Sequence, residues 1–588
     1  MGTVELCRLR VGSLSGLGAE AECLAVNQKE SIPGGLRCSS KSNSSFVKAS
    51  SGLRAALFDK QTAQRTRCLC EKHRGAPLGL TNWAYLAAAG VQVCRFSRGI
   101  VSSTGSYSSG PRLRSALRVS APESPASTVE IVPNDKTIPA SSIELRQEDE
   151  KIQRLREWLL QLGWDDCGLA VFGGGVGGYA AYAKEEGVEE GDEIVRVPEP
   201  ALMTVETAAR CPLLGPLILA HGLTPWQALS AHLLCERACG DSFWAPYVSA
   251  LPSESDMEWA HPLLWATEER REWLEGSPTL GVLENRLEQC RSDWEALEQA
   301  GVSAALADEF GRDVVTEASV RWAAAILLSR SFSLDLDLDR DGPRLALVPW
   351  ADLLNHSSEA TGASCLVFDD ETRVATLRAH TDYSAGQQVF DSYGPGLSPG
   401  QLFLDYGFVD WENVPVLVEL PASVLGKVKG KANRSLLRRV GLPQESTLFT
   451  LSPSGLDDTL LAWTRAAVAT PAELAAAGWT PKNCGPRAAA RALASFAEPV
   501  GRRNELQALL LLIRACDEQL KGYPTDPPGS DNGQRDTDVS DSSPRLVAKR
   551  TAEQLQALEQ RAITGARKWL LRQLRVAKKE PESESEVE

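Results

Sequence analysis

The chain has 588 residues, 43% hydrophobic and 24% charged, which is globular composition with room for three or four domains at roughly 100–200 residues each. Lys and Arg number 62 against 77 Asp and Glu, and the net charge of −15 argues against a general nucleic-acid binder. No apolar run approaches the roughly 18 residues of a spanning helix, and the 14 Cys are scattered like free thiols of a reducing compartment, which disfavours a membrane protein, a disulfide scaffold and a zinc finger.

Residues 1–120 are a different material, with 17 Lys and Arg, 6 Asp and Glu, and a local charge of +11. From Lys72 to Pro122 there is no acidic residue, and Arg74, Arg95, Arg98, Arg112, Arg114 and Arg118 surround a serine cluster at Ser102–Ser109. That composition predicts an organelle transit peptide over 1–121, disordered, with processing near Val119-Ser120-Ala121. Its length and Glu5, Glu20, Glu22 and Glu30 favour the alternative of a basic disordered tail.

The folded part divides near 415. Over 145–414, Ile152, Leu155, Trp158, Leu159 and Leu162 predict a helix closed by Gly163. The cluster Gly173–Gly178 follows, then a short strand at Gly191–Pro198. Helical patterns at Trp226–Arg237, Ser277–Gln299 and Thr316–Ser331 form an insertion over about 210–330. Strands return at Leu345–Val348, Cys365–Phe368, Arg373–Arg378 and Gln388–Asp391, an α+β arrangement rather than alternating βαβ. Over 415–577 the pattern reads as almost purely helical: Ala422–Val440, Leu456–Thr470, Pro471–Gly478, Ala488–Ala497, Arg503–Leu520 and Leu546–Val576. Tyr523–Ser543, rich in Pro, Gly, Asp and Ser, predicts a loop, and 578–588 a disordered acidic tail.

Three segments carry candidate chemistry. The glycine cluster lacks the following helix and acidic ribose partner of a dinucleotide site, and instead allows backbone to approach a ligand. Pro349–Ser357 places Asn355-His356 at the end of an apolar strand, with no second His or Cys to make a metal site. Two Tyr-Gly pairs, Tyr393-Gly394 and Tyr406-Gly407, lie thirteen residues apart. No G-x-S-x-G elbow supports a serine hydrolase.

Taken together, the glycine loop, Arg330-Ser331-Phe332-Ser333, Asp352-Leu353-Leu354-Asn355-His356-Ser357, and Tyr393-Gly394 with Asp405-Tyr406-Gly407-Phe408 resemble a SET-domain protein methyltransferase. Within that superfamily the chain is similar to the Rubisco large-subunit lysine methyltransferase and actin-histidine methyltransferase group. Cys235–Tyr247 with Leu251-Pro252 resembles that group's helical insertion. Pro499–Glu505 and Gly522-Tyr523 resemble its substrate-binding domain, so the likeness spans about Leu155–Val576. The resemblance implies small β-sheets with a knot-like crossing, followed by an all-helical substrate-binding domain.

It also implies S-adenosylmethionine (SAM) as cofactor. Gly175-Val176-Gly177 would wrap it, Arg330 would pair with its carboxylate, and Asp352, Asn355 and His356 would belong to its site. Tyr393 would be the catalytic tyrosine and also touch the cofactor, with Tyr406 and Phe408 walling the channel. Methyl transfer from a sulfonium to a neutral amine is a problem of alignment and of lowering a lysine pKa near 10.4, and it needs no metal. The expected target is a lysine of a protein substrate, with a histidine target or a catalytically weak scaffold as alternatives. The plant likeness favours a chloroplast address over mitochondrion or cytoplasm. No nucleic-acid or membrane partner is expected, and a monomer is. Departures from the group are Ser398-Pro399 in place of a Ser-Asn pair, no aromatic between His356 and Val367, an acidic stretch at Asp335–Asp341, and Gly174 where an acidic residue would precede the glycine loop.

Overall fold

The computed structural model describes residues 148–579, except 175–177, 335–343, 361–365, 395, 411–417, 422–427, 429, 441–447, 457, 481 and 525–542. The segment predicted as a transit peptide, Gly175-Val176-Gly177, the acidic stretch Asp335–Asp341, the predicted loop Tyr523–Ser543 apart from its ends, and all but the first two residues of the tail lie outside the described residues.

Asp149 caps helix α1 (Glu150–Gln161) by accepting from the N–H groups of Lys151 and Ile152, and Ile152, Leu155, Trp158 and Leu159 are buried at the predicted spacing. Strands β1 (Leu169–Gly174) and β2 (Gly178–Ala183) then pair antiparallel until Gly174 meets Gly178. Leu169, Val171, Ala181 and Ala183 enter the main core, while Ala170, Phe172, Ala180 and Tyr182 make a separate apolar cluster, the two-residue period of a strand. In β3 (Glu193–Pro198) the register slips between Glu193 and Val195, which lets the adjacent Ile194 and Val195 both be buried.

After β4 (Met203–Thr204) come the short α2 (Val205–Arg210) and α3 (Gly215–His221), then α4 (Pro225–Ala238). The insertion continues through α5 (Ala245–Ala250), α6 (Glu254–Met257), α7 (Thr267–Trp273), α8 (Pro278–Gln299), α9 (Val302–Phe310) and α10 (Glu317–Arg330). Helices α4 and α10 pack together and are buried almost all round, as a central helix must be. Strands β5 (Ser331–Leu334), β6 (Arg344–Leu347), β7 (Asn355–His356), β8 (Val367–Asp369), β9 (Val374–Arg378) and β10 (Gln388–Asp391) follow. They complete three sheets of order β1-β2-β10-β7, β3-β9-β8 and β4-β6-β5. Helix α11 (Pro399–Tyr406) ends this body.

The helical body is not wholly helical. β11 (Val418–Pro421), β12 (Leu448–Ser452) and β13 (Gly455–Leu456) form an antiparallel sheet there. These strands are two to five residues long and were not foreseen, because so short a run carries no readable alternation. Around them stand α12 (Lys431–Arg439), α13 (Asp458–Val468), α14 (Pro471–Ala476), α15 (Pro486–Ser495), α16 (Arg502–Gly522) and α17 (Pro544–Ala577). A Cβ on Gly565 of α17 would lie 2.4 Å from the Cα of Pro453, so glycine is what lets the β12–β13 turn rest on the helix.

Helix α17 has 34 residues, about 50 Å at 1.5 Å per residue, and serves both cores. Its Ala548, Ala552 and Leu555 join the core that begins at Ile152, whereas Leu558, Ala562, Ile563, Ala566 and Leu570 join that of the helical body. Between those stripes Glu559, 2% exposed, clasps the turn before α8. Ser277 and Thr279 donate to its Oε1 at 2.9 and 2.6 Å, and Tyr523 donates to its Oε2 at 2.9 Å. The side chains of Gln519 and Gln556 donate to the carbonyls of Gly276 and Glu275 in the same turn. Gly276, at φ 77°, has room for no side chain, since a Cβ would lie 2.2 Å from the carbonyl oxygen of Gly522.

Candidate active site

The two-residue strand β7 lies parallel to β10, Asn355 beside Phe390 and His356 beside Asp391, so the Asn-His pair enters the first sheet at its edge. Just beyond β10, Tyr393 donates its backbone N–H to Nδ1 of His356 at 3.1 Å. An accepting Nδ1 requires the proton on Nε2, and burial, opposed by Asp410 and the Asp391 carbonyl, lowers the His356 pKa and keeps that neutral form.

The Tyr393 hydroxyl donates to the Leu354 carbonyl at 2.9 Å, which fixes the ring across the end of β7. Its faces are covered by Tyr406, stacked at 4.4 Å and 26°, and by His356 at 5.1 Å and 28°. Phe408 stands 6.1–6.3 Å from all three rings. Burial raises the Tyr393 hydroxyl pKa, so it stays protonated and can donate.

Tyr406 reaches this stack because α11 is held at both ends. Ser398, which the sequence showed only as a departure, is its N-cap, joined to Gln401 in a capping box with Pro399 in the first turn. At the other end the Asp405 carboxylate pairs with Arg286, and Nε2 of His261 bonds the Asp405 carbonyl at 3.2 Å. Gly407 takes φ 81°, where a Cβ would sit 1.9 Å from the Ala260 carbonyl oxygen. The second Tyr-Gly pair is therefore a ring followed by the one residue that can turn beneath it.

Arg330 is the last residue of α10, where a cation also suits the helix dipole. Its Nη1 donates to the Asp352 carbonyl at 2.9 Å and to Asp352 Oδ2 at 3.4 Å. Tyr247 donates to the same oxygen at 3.0 Å, and the Asp352 side chain is fully buried with Oδ1 unpartnered. Burial raises the Asp352 carboxyl pKa, against the pull of Arg330 and Tyr247. The charge of Arg330 also acts on Tyr179, Tyr247 and Tyr393, so β2, α5 and the tyrosine stack gather around it.

The structure thus brings together Arg330, Asp352, Asn355, His356, Tyr393, Tyr406 and Phe408, with Asp352 placed behind Arg330. Tyr247, Tyr179 and Trp350 were not singled out by the sequence. Trp350 is wholly buried at φ 76°, a region that non-glycine residues rarely occupy, with the Arg156 guanidinium 4.6 Å from its ring. Only the unusual density of polar residues after an apolar strand pointed near it.

Residues 431–580 match the family model described as Rubisco LSMT substrate-binding. The fold is that of a solved structure of Rubisco LSMT bound to AdoMet, at TM-score 0.59 and 21% identity, covering 74% of this chain and 95% of that one. The chain thus has the fold of that structure, with an LSMT substrate-binding match in its C-terminal part. A structure of the LSMT SET domain bound to lysine and AdoHcy matches it at TM-score 0.58 and 22% identity, over 73% of this chain and 92% of that chain. Among curated proteins, actin-histidine N-methyltransferases of Callithrix jacchus and Homo sapiens are 30% and 29% identical over 288 residues. Those matches take in 47% of this chain and 46% of each relative, so it spans about half the length of the curated relatives it matches.

Proposed function

We propose that this chain is a SAM-dependent protein N-methyltransferase whose acceptor is a lysine side chain. The observation that carries the reading is the Tyr393 ring, clamped between His356 and Tyr406 with its hydroxyl fixed on the Leu354 carbonyl, beside Arg330 anchored on Asp352. The solved LSMT structures with AdoMet and AdoHcy support the choice of cofactor.

The residues present fit the cofactor. Arg330 spends Nη1 on Asp352, which leaves the rest of a half-buried guanidinium fork to meet a carboxylate. When bound, SAM supplies an electrophilic methyl group on a sulfonium. Asp352 and Tyr247 hold the arginine in one orientation. His356 ties the backbone after β10 to β7. The faces of Tyr393, Tyr406 and Phe408 exclude water and strip solvation from an incoming ammonium, favouring its neutral, nucleophilic form. The Tyr393 oxygen, which donates its proton to Leu354 and keeps its lone pairs to accept, aligns the amine and stabilises the positive charge it gains.

Histidine is the second reading, favoured by the actin-histidine N-methyltransferases at 30% and 29% identity. The two acceptors differ in pH dependence. An amine with a pKa near 10.4 gives a rate that climbs through pH 7–9, whereas an imidazole near 6.5 gives a flat profile there. The deciding experiment is transfer from labelled SAM by the full chain into protein extracts. Mass spectrometry then identifies the methylated residue, with Tyr393→Phe as control. Labelled lysine absent from the control supports the proposal, and labelled histidine replaces it with the second reading. No transfer despite SAM binding would leave a scaffold.

A further inference from the structure

A cavity of about 910 Å³ opens between α2, the second half of α4 and the first residue of β6, and no residue of the tyrosine stack or of the Arg330–Asp352 pair lines it. One side is built by α4 and the turn after it, through His232, Glu236, Phe243 and Trp244. The rings of Phe243 and Trp244 stand 5.0 Å apart at 90°, and the His232 ring meets Trp244 at 5.2 Å and 83°. Polar contacts fix this corner. Trp244 donates its indole N–H to the Ala201 carbonyl at 3.0 Å and its backbone N–H to Ser242 Oγ at 3.0 Å. The same hydroxyl donates to Glu236 Oε2 at 2.6 Å, so one serine ties the carboxylate to the aromatic pair.

The charges of the cavity are unevenly matched. Glu199 pairs with Arg373 and Glu206 with Arg344, while Arg210 is exposed on α2. Glu236 has no such cation: among the described residues its one ion-pair neighbour is His232, whose Nδ1 stands 3.5 Å from Oε1. His232 is 1% exposed, and neither ring nitrogen has a hydrogen-bond partner. Burial lowers its pKa to about 4, so it stays neutral and compensates nothing. A carboxylate whose side chain is only 14% exposed and faces no cation is costly to keep charged, and burial raises its pKa against the Ser242 hydrogen bond.

We propose that this corner binds a methylated ammonium group carried on a protein side chain. Phe243 and Trp244 supply two rings at right angles, His232 a third, and Glu236 the countercharge. A quaternary ammonium is coated with methyl groups and makes no hydrogen bonds, so aromatic rings and one carboxylate suffice to replace its water. A primary ammonium is strongly hydrated and brings three donors, and the corner is poor in acceptors because Glu236 Oε2 already receives Ser242. The transfer proposed above leaves a methylated ammonium on lysine, so the cavity is suited to hold a product side chain while another acceptor sits at the tyrosine stack. That consequence rests on the lysine reading; the binding itself does not.

The test titrates the full chain, without SAM, with acetyl-trimethyllysine methylamide and with its unmethylated counterpart by calorimetry. The trimethylated probe should bind at least about tenfold more tightly. Phe243→Ala and Glu236→Gln should each weaken it at least about fivefold, while Tyr393→Phe leaves it unchanged. Glu236→Gln keeps an acceptor for Ser242, so a loss there reports charge rather than folding. Equal affinity for the two probes overturns the proposal, as does binding that survives both substitutions. Capture of phosphatidylcholine vesicles in preference to the probe assigns the corner to a lipid headgroup and overturns it too. Transfer into extracts is measured separately, so either reading can fail alone.

Discussion

The two bodies of the molecule solve the same problem by different means. In the helical body, burial runs along long periodic faces: α17 alone buries Leu558, Ala562, Ile563, Ala566 and Leu570 at three- and four-residue steps. In the β-rich body the elements that carry the candidate site are minimal. β7 has two residues and β10 four, and around the site stand buried polar groups, Asp352 behind Arg330, Asp391 in β10, and Asp405 and His261 at the end of α11. Length gives one body its order, and buried polar contacts help give the other its order. The second device is more precise and more easily broken.

Acid should separate the two bodies most sharply. All six histidines precede Thr381, so none lies in the helical body. Burial holds His232 down to about 4 and His261 to about 3, so the unfolded chain binds protons that the folded one refuses below about 6.5. Their contribution is complete above that value and is lost as pH falls toward the folded pKa values. It amounts to about 2 kcal/mol for each histidine between pH 7 and 5. Asp352 and Asp405, whose pKa values burial raises, work in the opposite direction. The measurement is therefore the change in slope. His261→Gln should reduce the loss of unfolding free energy from pH 7 to 5 by about 2 kcal/mol, and an unaltered slope would detach His261 from it.

Glu559→Ala attacks the join itself. Three hydroxyl donors lose their acceptor, and we expect about 3 kcal/mol of destabilisation by urea titration. Glu559→Gln, which keeps an acceptor for Ser277 and Thr279, should lose less than half of that. Equal losses would show that shape rather than hydrogen bonding holds the clasp. Tyr393→Phe should lower methyl transfer about 100-fold and leave SAM affinity within about twofold, since it removes one hydroxyl and keeps the stacked ring. Arg330→Ala should weaken SAM binding about tenfold by calorimetry, and unchanged affinity would remove the arginine from the cofactor site. The smallest effect belongs to Ser398→Ala, about 1 kcal/mol for a lost N-cap, read as a fall in melting temperature.

The same contrast explains what was legible beforehand. Helices α4, α8, α10 and α16 were recognisable because their caps and repeats are written locally, as Thr224, Ser277 and Thr316 show. The β11-β12-β13 sheet was not, since Val418 finds Leu451 across more than thirty residues and nothing near either announces the pairing. At the candidate site the residue types were visible but their facing was not. Asp352 read as a cofactor contact, yet its side chain is buried behind Arg330 and orients it. Tyr247, which completes that arrangement from 105 positions away, has no local mark of its role. Ser398-Pro399, legible only as a departure from the group's Ser-Asn pair, is where α11 begins.

Helix α17 also sets the order in which this chain can be made. The core that opens with Ile152 stays incomplete until Ala548, Ala552 and Leu555 are present. During synthesis, the ribosome must pass Leu555 before the core of the β-rich body is complete. Until then the places awaiting those side chains are exposed apolar surface, and a nascent chain in that condition is a natural client for chaperones. A stop codon ahead of Ala548 would deny the finished protein its closing helix, and the damage would reach a body that ended more than a hundred residues earlier.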